Sequence, residues 1–142
     1  MNSPSNNTAA ALRACFFENG TAQFTVAGRS MYPYLKNGQL VVLKAWDKTR
    51  PLVPGACYAY VCGQKIMLHR FVSCAGSVAT FWADNLDRPE KADIRNIIGR
   101  FSRNKISLSA RICAFINSFY MRFNLNVPAL LLLRRIIIRF VN

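Results

Sequence analysis

In residues 56–84, ACYAYVCGQKIMLHRFVSCAGSVATFWAD, three runs rich in Val, Tyr, Phe, Ile and Trp are broken only around Gly63 and at Ala75-Gly76. β-Branched and aromatic side chains suit a pleated surface, and short glycine-bearing breaks reverse a chain between antiparallel strands. The stretch therefore reads as strands at 56–62, 65–74 and 77–84, the last two forming a hairpin. Upstream, AQFTVAG (22–28) and QLVVLKAW (39–46) have the same character, with turn signals at Asn37-Gly38, Pro51 and Pro54-Gly55. Downstream, IRNIIGRF (94–101) is the last strand candidate. These six strands predict a mainly β, small antiparallel domain spanning residues 21–104.

The flanks have another period. A short helix is expected at 8–19 within an N-terminal segment 1–20, capped by Thr8 and stopped by Gly20. In the tail, 105–142, Ile112, Phe115, Ile116, Phe119 and Phe123 fall at helical spacing, with Ser107 or Ser109 as the cap. Pro128 opens a second helical candidate, in which Leu130, Leu132, Leu133, Ile136, Ile137, Phe140 and Val141 make one apolar arc opposite Arg135 and Arg139. Arg134 interrupts an edge of that arc. The pattern predicts a C-terminal pair of amphipathic helices.

Charge is concentrated in the same tail. Of a net +13, residues 1–93 carry ten basic and six acidic side chains, whereas residues 94–142 carry nine basic and no acidic ones. Such an excess favours an anionic partner. The tail holds no recognisable DNA-binding motif, and no nucleic acid is expected. Two placements of 128–142 follow: flat on an anionic membrane face, or covering the open side of the β domain. The polar opening MNSPSNNTAA does not read as a signal peptide, and no run of the sequence is long and apolar enough to predict a spanning helix. The expected location is cytoplasmic, or peripheral at the cytoplasmic membrane. Five scattered cysteines without CxxC spacing and a single histidine, His69, argue against a zinc site and for a reducing compartment. No metal or cofactor is expected.

One serine stands out. In VAGRSMYPYLKNGQLVVL (26–43), Ser30 sits between an alternating run and a proline-bearing turn. A turn serine is the ordinary reading. A nucleophilic one needs a base, and the only imidazole is that of His69, in KIMLHRFV, where Met67, His69 and Phe71 share one strand face and Leu68 and Arg70 the other. FWADNLDRPEKAD then places Asp84 and Asp87 in a polar turn, where a carboxylate can orient an imidazole.

Together these segments resemble the type I signal peptidases and the LexA-type self-cleaving peptidases. GRSMYPYLKNGQLVVL is similar to their nucleophile box, G-x-S-M-x-P-x-L-x-x-G, and PLVPGACYAYV to the segment that follows it. IMLHRFV resembles the general-base strand of the endoplasmic-reticulum and archaeal branch, with His-Arg where the bacterial branch has lysine. WADNLD resembles the G-D-N-x-x-D box and IIGRF the closing segment. The likeness runs in order from about residue 18 to 101 and implies a partly barrel-like catalytic β domain.

The resemblance implies Ser30 as nucleophile, His69 as general base and Asp84, or less directly Asp87, as the carboxylate. Gly28, Arg29 and Met31 fall in substrate or oxyanion positions. Four positions depart from the pattern: Gly28 stands where signal peptidases often carry a second serine, and Gln39, Ala56 and Ala83 replace the usual Asp, Asp and Gly. Lys65 lies four residues before His69, about 13 Å along a strand, and reads as a solvated charge. The implied activity is a serine endopeptidase acting on a peptide or precursor leader. A binding module that retains the fold without the activity is the alternative.

Overall fold

The computed structural model describes residues 4–102, 108–123 and 132–137. Its elements are α1 (Pro4–Asn19), β1 (Thr21–Thr25), β2 (Leu40–Ala45), β3 (Cys57–Cys62), β4 (Lys65–Ala75), β5 (Val78–Trp82), β6 (Pro89–Asp93), a short 3-10 helix (Ile94–Asn96), β7 (Ile97–Phe101) and α2 (Leu108–Phe123), with a further helical stretch at 132–137. The strands form one antiparallel sheet in the order β1-β2-β7-β3-β4-β5-β6, curled into a half-barrel. All six expected strands are present. The seventh, β6, lies where the sequence predicts only a polar turn.

Alternation along the strands builds a core on each face of the sheet. From β3, Cys57 and Ala59 enter one cluster, with Leu12, Phe16, Met31, Leu35 and Leu43; Tyr58 and Tyr60 enter the other, with Phe71, Phe81 and Ile97. Within the second, Tyr60 stacks on Phe81 at 4.2 Å between ring centres and 16° between planes.

Helix α1 begins at Pro4, earlier than predicted, so Thr8 lies inside it. A proline's missing N–H is harmless in a first turn. The helix buries Ala9, Leu12 and Phe16, and Phe16 lies over Gly99, where an added Cβ would come within 2.7 Å of its ring. At the other end, Gly55 has φ +83° and an added Cβ there would sit 2.8 Å from the Ala110 carbonyl oxygen. Only glycine gives both the backbone angle and the space for α2 to approach.

The orientation of α2 is not what its stripe implies. An amphipathic helix ordinarily turns its large apolar side chains inward. Here the buried face is Ala110, Cys113, Ala114 and Asn117, while Ile112, Phe115 and Phe119 are exposed. Small side chains allow the close approach at Gly55, Ile116 is half-buried, and Ile112, Phe115 and Phe119 are left outside. The predicted cap is not Ser109, which lies within α2; Ser107 is outside the described residues, as are residues 128–131 and 138–142 of the second predicted helix. In the part described, Arg134 is buried and Leu132, Leu133 and Ile136 are exposed, so of the two expected placements these side chains do not cover the β domain.

Candidate active site

Ser30 is held on a loop tied at both ends. The Val26 N–H donates to the Gln39 carbonyl (2.9 Å), Gly38 N–H to the Val26 carbonyl (2.8 Å), and Gly28 N–H to Asn37 Oδ1 (2.8 Å). Gly28 takes φ +88°, a left-handed angle that costs glycine little. Met31 and Leu35 sink into the core beside it. From the turn after β5, Asn85 donates its N–H to the Ser30 carbonyl (2.7 Å) and its side-chain amide to the Arg29 carbonyl (3.3 Å). Anchored this way, the Ser30 side chain stays half-exposed while its backbone is fixed.

His69 comes from β4 and is 1% exposed. Its Nε2 lies 3.1 Å from Ser30 Oγ. On the other side of the ring, Nδ1 lies 3.0 Å from the Tyr60 hydroxyl and 3.1 Å from Glu90 Oε2, and that hydroxyl donates to the same Glu90 oxygen (2.7 Å). A carboxylate only accepts, and Tyr60 spends its proton on it. The proton of a neutral imidazole therefore belongs on Nδ1, leaving Nε2 to accept from Ser30. Burial lowers the His69 pKa from its ordinary 6.5, while Glu90 partly opposes the shift. Burial, with Glu90 alongside, also holds the Tyr60 hydroxyl well above its usual range.

Sequence and structure agree on Ser30 and His69 as neighbours and disagree on the carboxylate. Asp84 does not face His69. It receives a two-pronged ion pair from Arg70, Nε to Oδ1 at 2.7 Å and Nη2 to Oδ2 at 2.9 Å, in a buried setting. Arg70 also donates to the Gly55 carbonyl (3.1 Å) and lies 4.1 Å over the Tyr34 ring. The cause is strand alternation: adjacent residues point to opposite faces, so a group meeting Arg70 is turned away from His69. Asp87 is exposed and pairs with Arg135. The orienting role expected of either aspartate falls geometrically to Glu90, which is on the unpredicted strand β6.

The flanking residues divide too. Met31 is a core side chain that also lines a small pit shared with Ser30 and His69. The Gly28 N–H is already bonded to Asn37, so it is not a spare oxyanion donor. No backbone hydrogen bond among the described residues uses the Ser30 N–H. Arg29 is exposed on a cleft of about 620 Å³ lined also by Phe24, Ala27, Ser30, Ile66 and Met67. Lys65 borders this cleft as an exposed charge at the start of β4. Gln39 replaces the motif's aspartate and closes the turn by accepting the Lys36 N–H (3.0 Å). Ala56 and Ala83 are buried.

Two strand edges flank the cleft. β1 pairs with β2 alone, and β4 meets β5 only from Arg70 onward, so residues 65–69 have β3 on one side and no strand on the other among the described residues. Unpaired strand edges offer backbone donors and acceptors to an extended peptide. The dyad lies at the end of this gap.

No protein-family model matches the chain, and no curated protein matches its sequence.

Proposed function

We propose that this protein is a serine endopeptidase of the signal-peptidase and LexA type, cleaving an extended peptide or precursor leader. One observation carries the reading: the Ser30 hydroxyl lies 3.1 Å from a buried, neutral-favouring imidazole at the end of an open-edged cleft. A buried histidine that served only packing would not need a half-exposed serine fixed against it by Asn85.

The chemistry runs by proton shuttling. Ser30 Oγ attacks the scissile carbonyl as its proton passes to His69 Nε2, giving a tetrahedral oxyanion. The Ser30 N–H is the candidate donor to that oxygen. Glu90 and Tyr60 hold Nδ1–H and stabilise the imidazolium. His69 then protonates the leaving amine as the C–N bond breaks, and the same base activates water to release the acyl group from Ser30. The reaction requires no cofactor or metal in this scheme. No helix among the described residues is long and apolar enough to cross a membrane, and the reading places the enzyme in the cytoplasm or at a membrane face.

The test is cleavage of a proteome-derived peptide library, read by mass spectrometry. New termini that appear with the native protein and vanish with Ser30→Ala support the reading. Cleavage that persists in Ser30→Ala, or no cleavage of any library peptide by folded native protein, overturns it.

A further inference from the structure

We propose that α2 and the 132–137 helix form a docking face for an anionic lipid bilayer, with their inner sides pinned to the β domain. The outward apolar side chains of both helices are the starting point. Phe115 is 72% exposed and Leu132 59% exposed, with Ile112, Leu133 and Ile136 also outward. Leaving large apolar side chains in water while burying alanines and an arginine has a cost near that of the apolar area left wet. The local contacts explain how this arrangement persists.

The pins are specific. In α2 the close contact of Ala110 with Gly55 allows only small residues on the inner side. In 132–137, Arg134 points inward, donates to the Ala83 carbonyl and to the Leu86 carbonyl (3.0 Å), and lies 5.0 Å over the Trp82 ring. An inward arginine fixes the rotation of its helix, so Leu132, Leu133 and Ile136 turn away from the sheet. Arg135 pairs with Asp87 on the surface beside it.

Charge selects the occupant. At 100° per residue, Arg111 and Arg122 fall together on the flank beside Phe115, and both are exposed. Residues 94–142 contain no acidic side chain. A second copy of this chain would bring like charges together along the contact, whereas lipid phosphates complement them and the acyl boundary takes the phenylalanine and leucines. The inference does not depend on the peptidase reading.

The experiment is flotation of the full chain with phosphatidylcholine vesicles, with or without about one-third phosphatidylglycerol. Binding should need the anionic lipid and weaken as salt rises. Phe115→Ser and Leu132→Ser should each lower partitioning by about tenfold, and Arg111→Gln with Arg122→Gln should weaken it at low salt. All these side chains are exposed, so melting should stay near that of the native protein. The inference is overturned by absence of binding to anionic vesicles, by equal binding to neutral ones, or by binding that both serine variants retain. Native self-association abolished by Phe115→Ser would also overturn it, in favour of a contact between copies.

Discussion

Exchanging Glu90 for Gln and Asp84 for Asn should separate the orienting of His69, which the resemblance gives to Asp84 or Asp87, from the anchoring of Arg70. In the proposed reaction His69 becomes an imidazolium during attack, with Nδ1 3.1 Å from Glu90 Oε2. At an effective dielectric of about 20, that contact is worth about 5 kcal/mol as a gross Coulomb energy. Glutamine keeps a dipole there, and Glu90 is 25% exposed, so the net loss should be about 2–4 kcal/mol, or about 30- to 1000-fold in kcat/KM. Stability should change little by comparison. Asp84→Asn instead strands the buried Arg70 guanidinium, a loss of about 3–5 kcal/mol. That should lower the melting temperature by about 10–20 °C, with kcat/KM nearly kept wherever the variant remains folded. The assay pairs thermal melts with kcat/KM on a peptide identified from the library, measured well below both melting points. Full activity in Glu90→Gln, or an equal rate loss in folded Asp84→Asn, refutes the assignment.

Other outcomes follow from the same geometry. Because burial depresses the His69 pKa, the acid limb of kcat/KM should have its midpoint below 6.5; Glu90 opposes that shift, so Glu90→Gln should move the limb further toward acid. A limb near the range of an amine would point to Lys65 instead. In the same window the unfolded chain binds more protons than the folded one, so stability attributable to His69 should fall as pH drops below about 6.5, as urea titrations across pH will show. A thiol reagent should label Cys15, Cys62 and Cys74 quickly. Cys57 and Cys113, buried and with thiols pushed up to about 12 and about 11, should react only on unfolding; fast labelling of all five would contradict the packing.

Much of the sheet was legible because its central strands are dense in β-formers and cleanly punctuated. β6 was not, since PEKAD opens with proline and carries three charges. An edge strand tolerates both, for it bonds a neighbour on one side only, and charges there discourage further pairing. The available signal was alternation: Glu90 and Ala92 share one face, and Ala92 enters the same core cluster as Tyr60 and Phe81. Ser30 and His69 were legible through their local motifs. The identity of the orienting carboxylate was not, because it depends on how far the sheet curls and on which face of β4 each acid meets. Helical period likewise located the stripe of α2 without saying which side the β domain would take. That choice was made by Gly55 and Ala110, a contact between segments far apart in sequence.

The position of β7 has a consequence for how the chain comes together. It lies between β2 and β3, pairing Leu43 with Phe101 on one side and Tyr58 with Arg100 on the other. The β1–β2 pair, which holds the Ser30 loop between its strands, and the strand carrying His69 therefore share no direct ladder; the last strand made is the splice between them. Such long-range closure is slow relative to local hairpin formation. During synthesis, the serine and the imidazole are both present well before the splice exists, so a nascent chain carries the parts of its dyad without the frame that registers them. Maturation of the site is thus timed by the arrival of residues 97–101, and a chain cut short before them would retain every residue of the dyad and its carboxylate yet lack the assembled sheet.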